Sequence, residues 1–187
     1  MEESKKIADA DRIEYRTFKD EADLQTIISM IEKELSEPYP IYTYRYFVQK
    51  WPQHTFLAFL DGKCIGCIVS KLEDNYKQYW RTVKKRGYIA MLAVHPDYRR
   101  LGLGRKLVKK SIDQMKAEGA DEVMLETEIT NLAALRLYES FGFVRDKRHA
   151  QYYLNGNDAY KLKLFLTSSA SAEEEDESQW MLFIWYI

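Results

Sequence analysis

From residue 13 to 18 the chain reads Ile-Glu-Tyr-Arg-Thr-Phe, the two-residue alternation of a strand with one buried face. The period then changes. Leu24, Ile27, Ile28, Ile31 and Leu35 recur at spacings of three and four, which predicts a helix from about Glu21. Ser36-Glu37-Pro38-Tyr39-Pro40 interrupts it, because proline removes a backbone donor and restricts the residue before it. A second, short helix is expected over residues 43–50. Around it Tyr42, Tyr44, Tyr46, Phe47 and Trp51 suit core packing, and the proline-bounded segment before it suits a flexible loop facing a ligand.

Residues 55–60 and 63–70 read as two strands joined by a tight turn at Asp61-Gly62. The polar, basic and aromatic stretch 73–86 reads as a long excursion between strands. Residues 87–94 are strongly apolar and predict a central strand, ended by His95-Pro96-Asp97. Leu103, Leu107, Val108, Ile112 and Met115 mark the buried face of an amphipathic helix, with Gly119 placed to stop it. A strand over 122–126 follows. Asn131 is placed to cap a helix running to about Phe141, with Ala134, Leu137 and Tyr138 among its apolar positions. Two closing strands are expected over about 144–154 and 158–166, joined around Asn155-Gly156-Asn157. Strands alternating with helices and closing in a hairpin describe one α/β domain.

The length of 187 residues suits one such domain plus decoration, and 46% hydrophobic with 30% charged residues argues against general disorder. A net charge of -1 gives no support for nucleic-acid binding. The N-terminus carries no apolar signal core and no run of about 18 apolar residues occurs, so neither a signal peptide nor a membrane span is expected, and the expected location is the cytoplasm. Cys64 and Cys67 sit in an apolar strand, where residues three apart face opposite sides; they read as small buried hydrophobes, and no metal site is expected. After residues 1–12 as an extension and 13–167 as the domain, residues 168–178 form an acidic linker that includes Glu173 to Glu177. Residues 179–187 end the chain in an apolar, aromatic tail expected to dock on this domain or on a partner.

The most specific motif is Arg99-Arg100-Leu101-Gly102-Leu103-Gly104, after a strand and opening a helix. Glycine brings backbone N–H groups close to a ligand, and the free donors and positive dipole of a helix start favour a diphosphate. The Gly-Lys-Ser/Thr ending of a nucleotide P-loop and the three spaced glycines of a dinucleotide fold are both absent. Arg-x-x-Gly-x-Gly resembles the acetyl-CoA pyrophosphate motif of the GCN5-related N-acetyltransferase superfamily, and Met91-Leu92-Ala93-Val94-His95-Pro96 resembles the strand before it. The resemblance covers about residues 13–167. It implies a single domain with a mixed central sheet and flanking helices, and acetyl-CoA as cosubstrate. It implies pantetheine binding by backbone around Leu92, Ala93 and Val94, and pyrophosphate binding by backbone from Arg99 through Arg100, Leu101, Gly102, Leu103 and Gly104 to Arg105. Asn131 and Tyr138 match the coenzyme-side asparagine and tyrosine.

A narrower resemblance rests on Leu35-Ser36-Glu37-Pro38-Tyr39, Tyr44-Arg45-Tyr46-Phe47, Arg86-Gly87-Tyr88-Ile89, Leu125-Glu126-Thr127-Glu128 and the segment from Asn131 to Tyr138. Together these are similar to catalytic subunits of the NatC type, which acetylate the α-amine of nascent proteins that retain methionine before a bulky apolar residue. The resemblance implies Glu126 as general base, with Glu128 its local alternative, Tyr138 as general acid, and Tyr88 beside the amine. Glu37 and Tyr39 would hold the peptide backbone. Leu35 and Tyr152 would line the apolar part of the pocket, Tyr153 being the alternative on the other strand face. It also implies two auxiliary subunits, nascent N-termini as partners, ribosome association through the complex, and no direct nucleic-acid or membrane binding. A lysine or small-amine acetyltransferase and a catalytically silent acetyl-CoA-binding scaffold share the coenzyme motif and are the competing classes.

Overall fold

A computed structural model of the chain describes residues 12–34, 39–76 and 83–166. The acidic linker and apolar tail lie outside the described residues, as does all of the N-terminal extension except Arg12. In chain order the elements are β1 (Glu14–Thr17), α1 (Glu21–Glu34), α2 (Ile41–Lys50), β2 (Thr55–Leu60), β3 (Lys63–Tyr76), β4 (Val83–Val94), α3 (Leu103–Ala117), β5 (Glu122–Glu128), α4 (Leu132–Glu139), β6 (Val144–His149) and β7 (Ala159–Phe165). Among the described residues seven strands form one sheet in the order β1-β2-β3-β4-β5-β7-β6. Only β4 and β5 run parallel, as expected where a helix, here α3, carries the chain back across the sheet. The mixed α/β fold expected from the sequence is the fold observed.

Each face of the sheet has its own core. On one face α3 and α4 bury Leu103, Leu107, Val108, Met115, Leu135 and Tyr138 against Ile65, Ile68, Ile89, Val123, Leu125 and Leu162. On the other, Leu24, Ile27 and Ile31 of α1 and Tyr44, Phe47 and Val48 of α2 cover Leu57, Cys67, Val69, Met91 and Ala93. Full burial of each such aliphatic side chain stabilises by roughly 1.5–3 kcal/mol. α1 is fixed at its start as well. Asp20 accepts from the backbone N–H of Ala22 and Asp23, and Asp23 accepts two bonds from Arg16 of β1 at 2.6 and 2.7 Å.

The structure corrects three expectations. Cys64 and Cys67 share the α1/α2 face, because the β2–β3 register shifts from Ala58↔Gly66 to Phe59↔Cys64 and leaves Ile65 as an extra, bulged residue. The excursion expected over 73–86 is largely ladder: Glu73↔Arg86, Asp74↔Lys85, Asn75↔Lys84 and Tyr76↔Val83 extend β3 and β4, with 77–82 outside the described residues. Opposite charges face each other across two of these pairs, a favourable arrangement that leaves no apolar alternation to read. The closing hairpin is shorter than expected, and Tyr152 and Tyr153 lie in the turn between its strands. Asp158 accepts from the backbone N–H of Gln151 at 2.9 Å, which folds that turn out of the ladder.

Gly87 fixes the spacing of sheet and helix beneath the site. A Cβ there would stand 2.4 Å from Met115 Sδ of α3 and 3.1 Å from Val123 Cγ2 of β5, so this buried contact takes a methyl group only if Met115 shifts. Gly87→Ala should lower stability by about 1–3 kcal/mol in urea unfolding. In a Met115→Val background the added cost should be much smaller. Equal costs in both backgrounds would show that the strain is not at the Met115 contact.

Candidate active site

The parallel ladder between β4 and β5 has three pairs, Arg86↔Glu122, Gly87↔Val123 and Tyr88↔Met124, and stops there. The cause is local. The β3–β4 register passes from Ser70↔Ile89 to Val69↔Met91, so Ala90 is an extra residue in β4. A bulge of this kind bends its strand and increases its twist. Beyond it β4 stays paired with β3 as far as Val94, while β5 stays paired with β7 as far as Glu128. The two strands therefore diverge into a fork whose inner edges, among the described residues, are not paired with each other. A cleft of about 270 Å³ occupies it, lined by Ile89 to Leu92 of β4, Leu125 to Glu128 of β5, and Tyr39, Asn131, Ala134, Tyr138 and Tyr153.

At the end of β4 the chain turns through a short 3-10 segment, Pro96–Tyr98, into the start of α3. Arg100 and Gly102 both take left-handed backbone, with φ of 65° and 73°. A Cβ on Gly102 would meet nothing within 4 Å, so the backbone there faces open space. Among the described residues no side chain caps α3. Its first N–H groups are thus available to an anion, the arrangement the sequence motif implied. The basic residues nearby divide in role. Arg105 donates to Ser140 Oγ at 2.7 Å and lies over the Phe141 ring, while Lys109 pairs with Asp113 at 2.6 Å. Arg99 Nε donates to the Val94 carbonyl at 3.4 Å, bracing the turn.

Inside the fork Tyr88 donates its O–H to Glu126 Oε2 at 2.8 Å. Burial, and then the adjacent Glu126 charge, push the Tyr88 phenol well above its usual range, with Tyr152 and Tyr39 close enough to add to the effect. At neutral pH Tyr88 is therefore a donor to the Glu126 carboxylate. Glu128, on the same strand face, is held instead by the side-chain amides of Asn155 and Asn157, so it anchors the β6–β7 turn to β5. Tyr138 is 5% exposed, and burial also pushes its phenol far above the ordinary value. Asn131 Oδ1 accepts from Ala134 N at 3.1 Å and so caps α4 as expected.

Of the residues singled out in the sequence, Tyr39, Tyr88, Glu126, Asn131 and Tyr138 converge on the fork, with Leu92 on its β4 wall. Ala93 and Leu103 point into the two cores. Leu35 and Glu37 lie outside the described residues. Tyr152 and Tyr153 reach the region together, Tyr153 on the cleft wall and Tyr152 beside Tyr88, since a turn frees them from strand alternation. Sequence reasoning missed the Asn155–Asn157 anchor. The Asn-Gly-Asn signal was visible, but it marked only a turn.

Comparisons with known proteins agree with this geometry. A profile of the acetyltransferase (GNAT) family matches residues 24–143. N-alpha-acetyltransferase 30 of Xenopus laevis is 54% identical over 156 residues, 83% of this chain and 55% of that protein. The human counterpart is also 54% identical, over 82% of this chain and 41% of its own length, so the chain spans about half the length of these vertebrate relatives. N-alpha-acetyltransferase 30 of Saccharomyces cerevisiae is 48% identical over 82% of this chain and 87% of its own length. Among solved structures, the NatC complex bound to Gag peptide and CoA contains a chain 46% identical to this one, with a TM-score of 0.78 over 83% of this chain and 99% of that one. The chain therefore belongs to the GNAT acetyltransferase family, and within it to the N-alpha-acetyltransferase 30 group.

Proposed function

We propose that this chain transfers acetyl from acetyl-CoA to the α-amine of polypeptides that begin with methionine followed by a bulky apolar residue. The observation that carries the reading is the Tyr88–Glu126 pair, held in a fork of unpaired backbone beside an uncapped helix start. The similarity to N-alpha-acetyltransferase 30 proteins, and to a chain of a complex that holds peptide and CoA, supports it. In this reading the chain is the catalytic member of a cytoplasmic NatC-type assembly, with two auxiliary subunits and ribosome association through them. Residues 13–167 form the catalytic domain, and the tail beyond the acidic linker docks on it or on an auxiliary subunit.

The residues present fit the cosubstrate. Left-handed backbone at Arg100 and Gly102, open space over Gly102 and the free N–H groups of α3 suit a diphosphate, so residues 99–105 would hold it. The β4 edge around Leu92, Ala93 and Val94, released from pairing with β5, would hydrogen-bond the amide-bearing arm, with Asn131 on the opposite side of the cleft. Acetyl-CoA supplies a thioester whose carbonyl carbon receives the amine.

An α-amine has a reference pKa near 8, so proton removal at neutral pH needs only modest help. Glu126 accepts that proton, directly or through water, and Tyr88 orients the carboxylate and the incoming amine. A β4 backbone N–H polarises the carbonyl oxygen. As the carbon–sulfur bond breaks, Tyr138 donates a hydrogen bond to the departing sulfur. Burial keeps its phenol protonated at neutral pH, so the proton is in place as negative charge builds on the sulfur, and Tyr138 is the general acid of the reaction. Tyr39 and Glu37 hold the peptide backbone, and Leu35 and Tyr152 line the apolar pocket. Neither buried cysteine is needed as a nucleophile.

Glu126→Gln and Tyr138→Phe should slow turnover by roughly 10²- to 10⁴-fold with coenzyme affinity nearly unchanged. Gly102→Val, a β-branched residue forced into left-handed backbone above the diphosphate, should instead weaken coenzyme binding. Calorimetric binding beside peptide turnover separates the two classes. Near-normal turnover of Glu126→Gln would remove the carboxylate from the mechanism.

The substrate class is tested with a peptide panel, assayed by mass spectrometry with and without the two auxiliary subunits. Met-Leu, Met-Ile and Met-Phe peptides should be acetylated on the α-amine, and best by the complete assembly. Preference for Ser- or Ala-starting peptides, or acetylation on lysine, would contradict the assignment.

A further inference from the structure

Lys71 of β3 stands directly opposite Tyr88 of β4 in the antiparallel ladder and is only 7% exposed. Its Nζ lies 2.6 Å from Glu73 Oε2. It is also 5.8, 5.9, 5.6 and 5.9 Å from the ring centres of Tyr46, Phe47, Trp51 and Tyr88, within the range over which a cation is attracted to an aromatic face. The cage is itself held in place. Trp51 Nε1 donates to the Leu72 carbonyl at 2.9 Å, and the Tyr46 and Trp51 rings meet edge to face at 5.4 Å. A second cavity of about 420 Å³, bounded in part by Tyr46, Lys71, Glu73, Arg86 and Met124, is also lined by Tyr88, whose hydroxyl reaches Glu126 on the wall of the catalytic fork. Burying an ammonium is costly, whereas an apolar side chain among these rings would carry no such penalty.

We infer that Lys71 is a positioning residue for the Tyr88–Glu126 pair. Its stem and cation clamp the Tyr88 ring from the β3 side and keep the O–H aimed at Glu126. Its charge, held on β3 two strands from Glu126 with β4 between them, favours the ionised carboxylate. The inference deepens the proposed function and rests on it.

Lys71 and Glu73 form a charge couple beside Tyr88, and the neighbouring elements bring other charges around the pair. On β4 and β5, Arg86 and Glu122 neutralise each other through a 2.5 Å ion pair. On β5 Glu128 is occupied by Asn157. On β7 Lys161 stands opposite Glu126 in register, with Asp146 of β6 3.8 Å from its Nζ. From α2, Tyr46 donates to Glu73 at 3.4 Å, and Tyr44 lies behind Tyr39. Tyr39 and Tyr152 complete the set. Glu73 faces Arg86, two pairs further from the fork than Lys71. The positive end of the couple is therefore the end at Tyr88.

The test uses the assembled enzyme, acetyl-CoA and a Met-Leu peptide, with kcat and KM measured across pH for Lys71→Met, Lys71→Arg and Glu73→Gln. Lys71→Met should lower kcat about tenfold with KM within about twofold, and raise the acid limb of the kcat profile by about 0.5 pH unit, because a carboxylate without its cation binds a proton more tightly. Glu73→Gln should move the same limb downward, and Lys71→Arg should restore kcat to within about threefold. Limbs that stay fixed, or move together in both variants, would overturn the inference, since a purely structural role gives no opposed shifts. If Lys71→Met fails to fold, Glu73→Gln decides alone: a downward limb supports the inference and an unmoved one ends it. Wild-type turnover of the peptide is scored separately, so loss of the proposed function and loss of this role are distinguishable.

Discussion

The site depends on the point at which two parallel strands stop pairing. Tyr88↔Met124 is the last β4–β5 rung, and the Ala90 bulge immediately after it turns β4 away while β3 holds its outer edge. Unpaired backbone inside a protein is ordinarily costly, because each buried N–H or C=O lacks a partner. Here the opening leaves room for a ligand that can supply those partners. The same rung puts Tyr88 at the apex of the fork, where its phenol reaches across to Glu126 on the diverging strand. Strand geometry and proton chemistry thus share one structural cause.

The two cores hold the fork open from both sides. α3 and α4 pack under one face and deliver the uncapped helix start and Tyr138, whereas α1 and α2 pack under the other and bring Tyr39 and the aromatic cage. Close packing leaves little freedom for either layer to move independently. The absence of a Cβ at Gly87 lets Met115 fill the space just below the last rung, so helix position and fork position are coupled. Burial at Tyr88 and Tyr138 then sets their chemistry, since a phenol removed from water holds its proton.

Periodicity made the helices legible in the sequence, and turn and motif residues the β2–β3 hairpin and the Arg99–Gly104 turn, because each is encoded by neighbouring residues. Resemblance, rather than spacing, directed attention to Glu126 and Tyr138. What stayed hidden was non-local. The bulges at Ile65 and Ala90 have no composition signal and exist only as mismatches with a partner strand, so the shared face of Cys64 and Cys67 could not be read. The β3–β4 arm lacks alternation because cross-strand charge pairs stabilise it. Tyr152 and Tyr153 were assigned by strand parity, which ceases to apply once Asp158 folds the chain into a turn.

The central claim is that acetyl donor and peptide meet in this fork. Hydrogen exchange tests it most directly, on the chain assembled with its auxiliary subunits, using a conjugate that joins CoA covalently to a Met-Leu peptide. The account predicts slowed exchange on binding at the β4 edge (89–94), the first turn of α3 (103–105) and the end of β5 (125–128) together. Tight binding of the conjugate with these three segments unchanged, and protection elsewhere in the chain, would contradict it.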